Sequence, residues 1–311
     1  MSKIPVVVIA GPTGVGKTAT SIELAKALGG EIISADSMQI YRGMDIGTAK
    51  VTSDEMQGVP HHLIDIADPK ENFSVYRFVS ECKKAVSHIV SRGKMPIIVG
   101  GTGLYIDSFL SDIDFEKTCS DEEYRKYLTD LAKEKGNEYV HEMLSKIDSE
   151  SAKNIHPNNL KRVVRALEYY KITGSTISSH NEESKKKPSP YNCCYICLTR
   201  DRENLYKRID KRVDIMIDSG LVDEVRSLLN SGATSAHTSM QAIGYKEIVE
   251  YLSGNVSLEE AVQTLKRDSR HYAKRQLTWF RRNKDVLWID LDKTDNPTDK
   301  CMEFISGKLN I

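Results

Sequence analysis

The stretch Gly11-Pro12-Thr13-Gly14-Val15-Gly16-Lys17-Thr18 fills the spacing G-x-x-x-x-G-K-T completely. The apolar run Val6-Val7-Val8-Ile9-Ala10 precedes it, and Ala19 to Leu28 follows with helical character. Strand, glycine-rich turn and helix in that order make an anion cradle. The glycines let backbone N–H groups converge, and the helix N-terminus adds partial positive charge. Lys17 supplies a mobile full charge, and Thr18 can hold a magnesium ion. Gly11, Pro12, Thr13, Gly14, Val15, Gly16, Lys17 and Thr18 are therefore the candidate phosphate-binding residues. The loop calls for a di- or triphosphate without saying which.

Outward from the loop, Gly29-Gly30 stop the first helix, and Glu31-Ile32-Ile33-Ser34-Ala35 reads as a second strand ending at Asp36-Ser37-Met38-Gln39. In a parallel sheet that strand end faces the same crevice as the phosphate loop, so Asp36 points at the ligand or caps a turn. Tyr41 to Pro60 is polar and glycine-punctuated, and His62 to Ile66 reads as a short strand. Val75, Phe78, Val79, Val86 and Ile89 recur near helical spacing until Gly93. Met95 to Val99 is another buried strand, and Gly100-Gly101-Thr102-Gly103 turns at its end, placing the Thr102 hydroxyl at the sheet edge of Asp36. Alternating strand and helix predicts an α/β fold with a doubly wound parallel sheet.

The 311 residues are 40% apolar and 28% charged, enough for one large α/β domain and a smaller one. Net charge is zero, so a nucleic-acid surface has to come from local segregation of charge. No apolar run reaches the roughly 18 residues of a membrane span, and no arginine-rich or cleavable leader precedes the first strand. Cys194-x-x-Cys197 lies in an apolar stretch that reads as a buried strand, and zinc would want a second pair. Such cysteine usage suits a reducing cytoplasm.

The character changes near Asp112. Residues 113–190 are charged and helical, a helical insertion between core segments 1–112 and 191–311. Helices are expected from Ser120 to Lys135 and Glu138 to Lys146, and a mobile hinge or loop from Ser179 to Pro190, which carries Lys185-Lys186-Lys187. Leu160, Val163, Val164 and Leu167 share one helical face, with Lys161, Arg162 and Arg165 opposite. That basic face is either solvated or a phosphate contact.

Leu205, Ile209, Val213 and Met216 then recur at helical spacing among Lys207, Arg208, Lys211 and Arg212. Ser239 to Glu247 is a loop opening a helix. Ser257-x-x-Glu260 is a capping box starting the last long helix. Its second half holds Lys266, Arg267, Arg270, Lys274, Arg275, Arg281, Arg282 and Lys284 against one acid, Asp268, with Trp279 and Phe280 among them. Basic side chains interleaved with aromatics suit a folded RNA; a solvated helix with Trp279 in the core is the other reading.

Taken together, Gly11 to Thr18, Asp36-Ser37-Met38-Gln39-Ile40-Tyr41, Gly100 to Tyr105, His156 to Glu168, Gln241 to Lys246 and Lys274 to Arg281 resemble the tRNA dimethylallyltransferase (tRNA isopentenyltransferase) family over nearly the whole length. The resemblance implies a P-loop kinase-like parallel sheet flanked by helices, with a mobile helical insertion. It implies transfer of a dimethylallyl group from dimethylallyl diphosphate to N6 of adenosine 37 in tRNAs reading codons that begin with U. Magnesium is the implied cofactor and the tRNA anticodon stem-loop the partner; a cytoplasmic monomer without membrane contact is expected.

The implied catalytic residues are Asp36, Thr102, Lys17 and Arg212. Lys17, Thr18 with magnesium and the loop amides would neutralise the departing diphosphate, with Arg212 as a second clamp. Asp36 would receive the N6 proton, and Thr102 would orient it or the base. The adenine has to leave its stack to react. Asp36, Ser37, Met38, Gln39, Thr102, Arg125, Lys161, Arg162, Arg165, Gln241, Gly244, Tyr245, Lys246, Lys274, Arg275, Gln276, Trp279 and Arg281 are the implied tRNA-binding residues. An adenylate isopentenyltransferase would share the loop and Asp36 without needing the basic helix. A P-loop small-molecule kinase leaves that helix idle, and a non-catalytic RNA-binding NTPase leaves Asp36 and Thr102 incidental.

Overall fold

The computed structural model describes residues 3–112, 121–186 and 188–310, the side chains of 184–186 excepted. Residues 113–120, expected to begin the insertion, and Lys187 of the lysine run lie outside the described residues. The chain forms two compact units, Met1–Leu110 with Pro190–Ile311, and Ser111–Ser189.

The first unit begins with β1 (Ile4–Ala10), α1 (Lys17–Leu28), β2 (Glu31–Ser34), α2 (Ser53–Met56), β3 (His61–His62), α3 (Val75–Ser91), β4 (Pro96–Gly100) and α4 (Gly103–Leu110). The expected strand from His62 to Ile66 stops after two residues, because Leu63 and Asp65 turn to φ 61° and 57°. The second unit is helical: α5 (Glu122–Lys135), α6 (Asn137–Ile147), α7 (Ser149–Asn154), α8 (Leu160–Thr173) and α9 (Ile177–Lys186). Thus much of the loop expected from Ser179 is helix. Its core gathers Leu128, Val140, Leu144, Val163, Val164 and Leu167, the apolar face that the α8 periodicity marks.

The chain returns through β5 (Tyr191–Thr199), α10 (Arg202–Asp218) and α11 (Leu221–Asn230). A single 3-10 turn at Ser239–Gln241 leads to α12 (Tyr245–Leu252), α13 (Leu258–Phe280), β6 (Leu287–Asp290) and α14 (Pro297–Leu309). The six strands form one sheet in the order β3-β2-β4-β1-β5-β6, with every pairing parallel. Parallel strands need both faces covered, so the central strand is a continuous apolar run: Val6, Val7, Val8, Ile9 and Ala10 are all fully buried. Val7 and Ile9 pack with Ile22 and Leu24 of α1, Ile196 and Leu198 of β5, and Cys301 and Ile305 of α14.

The connection from β1 runs to β2 on one side, and the chain later places β5 on the other. The topological switch therefore lies at the C-terminal end of β1, where ligands of such sheets bind. The glycine-rich loop leaves the sheet at that point.

Candidate active site

The loop after β1 is held by its carbonyls. Lys17 Nζ donates to Gly11 O and Pro12 O, both at 3.0 Å. Arg208 Nε donates to Gly14 O at 2.9 Å and Arg200 Nε to Val15 O at 2.9 Å. With these carbonyls occupied, and with Thr13 N–H and Val15 N–H donating to Gln276 Oε1 and Pro12 O, the other amides of the loop and of the first α1 turn are what it presents to an anion. Burial pushes the Lys17 amine down to about 8; Asp36 opposes that shift and Arg212 adds to it. An ammonium so disfavoured has much to gain from a phosphate. Thr18 stands exposed in the first turn of α1.

The β2 and β4 ends meet beside the loop. Asp36 Oδ1 accepts the Met38 N–H at 2.9 Å, and Thr102 Oγ1 accepts the Ser37 N–H at 3.1 Å. Thr102 N–H in turn donates to Ala35 O at 3.2 Å. Asp36 thus both caps its turn and faces the crevice, and its Oδ2 makes no hydrogen bond to a described residue. Gln39 is different from the tRNA contact expected of it. Its Oε1 accepts from Ser34 Oγ at 3.1 Å, and its Nε2 donates to Thr48 O and Ala49 O, each at 3.3 Å. Both ends of the amide are spent on the loop.

A cavity of about 280 Å³ opens here. Thr13, Asp36, Ser37 and Met38 form its rim, Arg212 and Arg275 bring charge, and Ile209, Val213, Met216, Ile243 and Leu265 make an apolar wall. Arg212 is half-buried and makes no ion pair to a described residue; burial lowers its pKa, against the pull of Asp36 and Glu55. The apolar wall escaped sequence reasoning, because Ile209, Val213 and Met216 at helical spacing look like core. Arg200 and Arg208 escaped it too, since only the folded chain brings them to the loop.

In α13 the basic run divides. Lys266 Nζ pairs with Asp214 at 2.6 Å, Arg270 Nη1 with Asp210 at 2.5 Å and Arg267 Nε with Asp268 at 3.2 Å. Lys266 and Arg270 thereby tie α13 to α10, while Arg267 pairs within its own helix. Lys274, Arg275 and Arg281 are exposed and make no ion pair to a described residue. Arg282 lies 4.9 Å above the Trp279 ring.

Five further residues expected at the tRNA are engaged within this unit. Gln276 is buried; its Oε1 accepts from Thr13 N–H at 2.9 Å and its Nε2 donates to Gly101 O at 2.9 Å. A β-carbon at Gly101 would come within 2.1 Å of that Nε2, so the glycine admits the side chain. Trp279 donates its indole N–H to Asp107 Oδ2 at 2.7 Å, and its ring lies where a β-carbon at Gly103 would meet it at 2.2 Å. Tyr245 is fully buried, with Gly244 buried beside it. Lys246 is exposed but held by Asp268 at 2.9 Å and Glu247 at 3.2 Å. Gln241 remains exposed at the cavity.

Within the helical unit, Lys161 and Arg162 are exposed. Arg125 Nε and Arg165 Nη1 instead pair with the fully buried Glu168, at 2.8 and 2.7 Å. Burial alone would raise the Glu168 carboxyl; hydrogen bonds from Arg125 and Arg165 bring it below the usual range. These two arginines therefore support their own unit, a use that shows only once the fold brings both to Glu168.

Among the described residues, no three His, Cys, Asp or Glu side chains gather as a metal cluster, and no helix is long and apolar enough to cross a membrane. Cys194 and Cys197 are fully buried strand residues, as their apolar context predicts, and burial raises both thiols.

The IPP transferase family model matches residues 39–283. A tRNA dimethylallyltransferase of Lachnoclostridium phytofermentans is 55% identical over 295 residues, covering 95% of this chain and 94% of its own. One from Halalkalibacterium halodurans is 52% identical, covering 99% and 98%. Among solved structures, a tRNA isopentenylpyrophosphate transferase from Bacillus halodurans superposes with a TM-score of 0.74 at 51% identity, covering 99% and 97%. A eukaryotic dimethylallyltransferase acting on tRNA superposes with a TM-score of 0.82 at 32% identity, covering 98% of this chain and 80% of that one.

Proposed function

The chain belongs to the IPP transferase family, and from that premise we propose that it is a tRNA dimethylallyltransferase. It transfers a dimethylallyl group from dimethylallyl diphosphate to N6 of adenosine 37, in the anticodon stem-loop of tRNAs reading codons that begin with U. The observation that carries this reading is one cavity bounded by Thr13 of the phosphate loop, by Asp36, and by the apolar Ile209, Val213 and Met216. A phosphate, a proton acceptor and a hydrocarbon chain are the three things the reaction has to place together.

The allylic carbon–oxygen bond breaks with its electron pair leaving on diphosphate. The loop amides, Lys17 and Arg212 meet that charge as it develops. N6 forms the new carbon–nitrogen bond, and Asp36 Oδ2 receives its proton. Thr102 fixes the segment that carries Asp36 by accepting the Ser37 N–H. Thr18 offers a hydroxyl oxygen beside the phosphate loop, a donor that suits magnesium, which keeps much of its water and takes phosphate oxygens. Thr18 would hold the ion, which would supply further neutralisation of diphosphate.

Lys274 and Arg275 of α13, Arg281 at its C-terminal end, and Lys161 and Arg162 of α8 are exposed cations that would meet RNA phosphates. A flipped adenine then reaches the cavity. The enzyme acts as a monomer in the cytoplasm. In the test, the protein is incubated with radiolabelled dimethylallyl diphosphate and either unmodified tRNA or AMP. Label should enter tRNA alone, at adenosine 37; label in AMP alone would replace this reading with cytokinin synthesis.

A further inference from the structure

Glu224 of α11 makes contacts that the mechanism above does not use. Its Oε2 accepts two consecutive backbone N–H groups, from Asp45 at 2.9 Å and Ile46 at 2.8 Å. Its Oε1 accepts the Gly47 N–H at 3.1 Å and the Tyr245 hydroxyl at 2.6 Å. One carboxylate therefore gathers three successive amides and a phenol. A carboxylate can take several donors at once, and charge-assisted bonds of this kind are about twice as strong as neutral ones.

The gathered loop is a wall of the cavity: Gly47 and Thr48 line it. The loop is also pressed from behind. Tyr245 is fully buried, and a β-carbon on Gly47 would sit 2.6 Å from its ring. Onward from Gly47, Thr48 O and Ala49 O accept from Gln39 Nε2, and Gln39 follows Asp36-Ser37-Met38 directly. The loop between β2 and α2 is thus pinned at one end by Glu224 and Tyr245 and at the other by the segment that carries Asp36.

We propose that Glu224 is a positioning residue that, with Tyr245, fixes how far the 45–48 loop stands into the cavity and so limits the length of allylic chain it accepts. The proposal rests on the assignment of this cavity to the allylic diphosphate. Glutamine is the informative replacement. Its amide nitrogen has to face either Gly47 N–H or the pair from Asp45 and Ile46, donor against donor, so at least one amide is lost and the loop relaxes outward. Tyr245→Phe removes one bond and leaves the packing.

The experiment measures kcat and KM for dimethylallyl diphosphate and for geranyl diphosphate, with saturating unmodified tRNA, in the parent, Glu224→Gln and Tyr245→Phe, alongside melting curves. The expected result is a KM for dimethylallyl diphosphate raised about tenfold in Glu224→Gln, with KM for tRNA within twofold. The ratio of geranyl to dimethylallyl kcat/KM should rise at least tenfold, and Tyr245→Phe should move the same way by less. Lower melting temperatures with an unchanged ratio in both variants would make Glu224 merely structural and overturn the proposal. Should Glu224→Gln not fold, the ratio in Tyr245→Phe decides. A parent that transfers neither chain to tRNA would instead defeat the assignment of the cavity.

Discussion

Gln276 Oε1 accepts the Thr13 backbone N–H at 2.9 Å, so the helix bearing the free cations is fastened directly to the phosphate loop. Its other end donates to Gly101 O, which joins the turn carrying Thr102. One buried amide therefore registers three parts of the site: α13, the loop after β1 and the turn after β4.

Removing that amide should be costly. Gln276→Ala leaves the buried Gly101 O without its partner, worth about 1–3 kcal/mol for an unsatisfied group, and frees the half-buried Thr13 N–H. The melting temperature should fall and KM for dimethylallyl diphosphate should rise, while tRNA affinity stays within about twofold. Loss of tRNA binding alone, with an unchanged melt, would return Gln276 to the RNA surface.

Lys17 gives the site a pH dependence. Its folded pKa of about 8 lies below its ordinary 10.5, chiefly through burial. A bound diphosphate brings negative charge and raises it again, so binding takes up a proton above pH 8. Affinity for diphosphate should therefore be greatest below pH 8 and fall by up to tenfold per unit as pH rises through it. Lys17→Met should lose this component, as titration calorimetry from pH 7 to 9 would show. The stability effect has the opposite sense to that of a stabilising lysine. The charged amine disfavours the fold fully below pH 8, and the penalty is relieved as pH climbs toward 10.5. Lys17→Met should thus melt higher than the parent at pH 7.

The division of the α13 cations is testable by salt dependence. Replacing Lys274, Arg275 and Arg281 with Ala should weaken tRNA binding and flatten its salt slope by about 0.7 to 0.9 log unit per lost phosphate contact. Replacing Lys266 and Arg270, which pair with Asp214 and Asp210, should lower the melting temperature and leave the slope unchanged. Equal slopes in both sets would remove the distinction.

Much of the sheet was legible in the sequence because parallel strands are continuous apolar runs, and β1, β2, β4 and β5 stand out as such. The glycine-rich loop was legible because its spacing sits in eight consecutive residues, although Arg200, Arg208 and Gln276, which hold it, do not. Asp36 and Thr102 followed from their places at strand ends. The α13 cations were harder, since their partners Asp210 and Asp214 lie more than fifty residues away on α10. Gln276 sits in a basic stretch and reads as surface; its burial, and the inward packing of Trp279, depend on Gly101 and Gly103, whose missing side chains make room. The apolar wall of the cavity was hidden for the opposite reason: Ile209 and Val213 have core periodicity and serve the site with the same face.

The central claim is that Asp36 takes the proton from N6. Asp36→Asn isolates that role, because an asparagine oxygen can still accept the Met38 N–H that now caps the turn at 2.9 Å. The measurement is single-turnover prenyl transfer to unmodified tRNA, with diphosphate affinity and a melting curve on the same protein. The account predicts a rate loss of about a hundred- to ten-thousand-fold, as for general bases elsewhere, with the melt and diphosphate binding preserved. A rate within about tenfold of the parent, far short of that range, would contradict it and leave Asp36 as the cap of a turn.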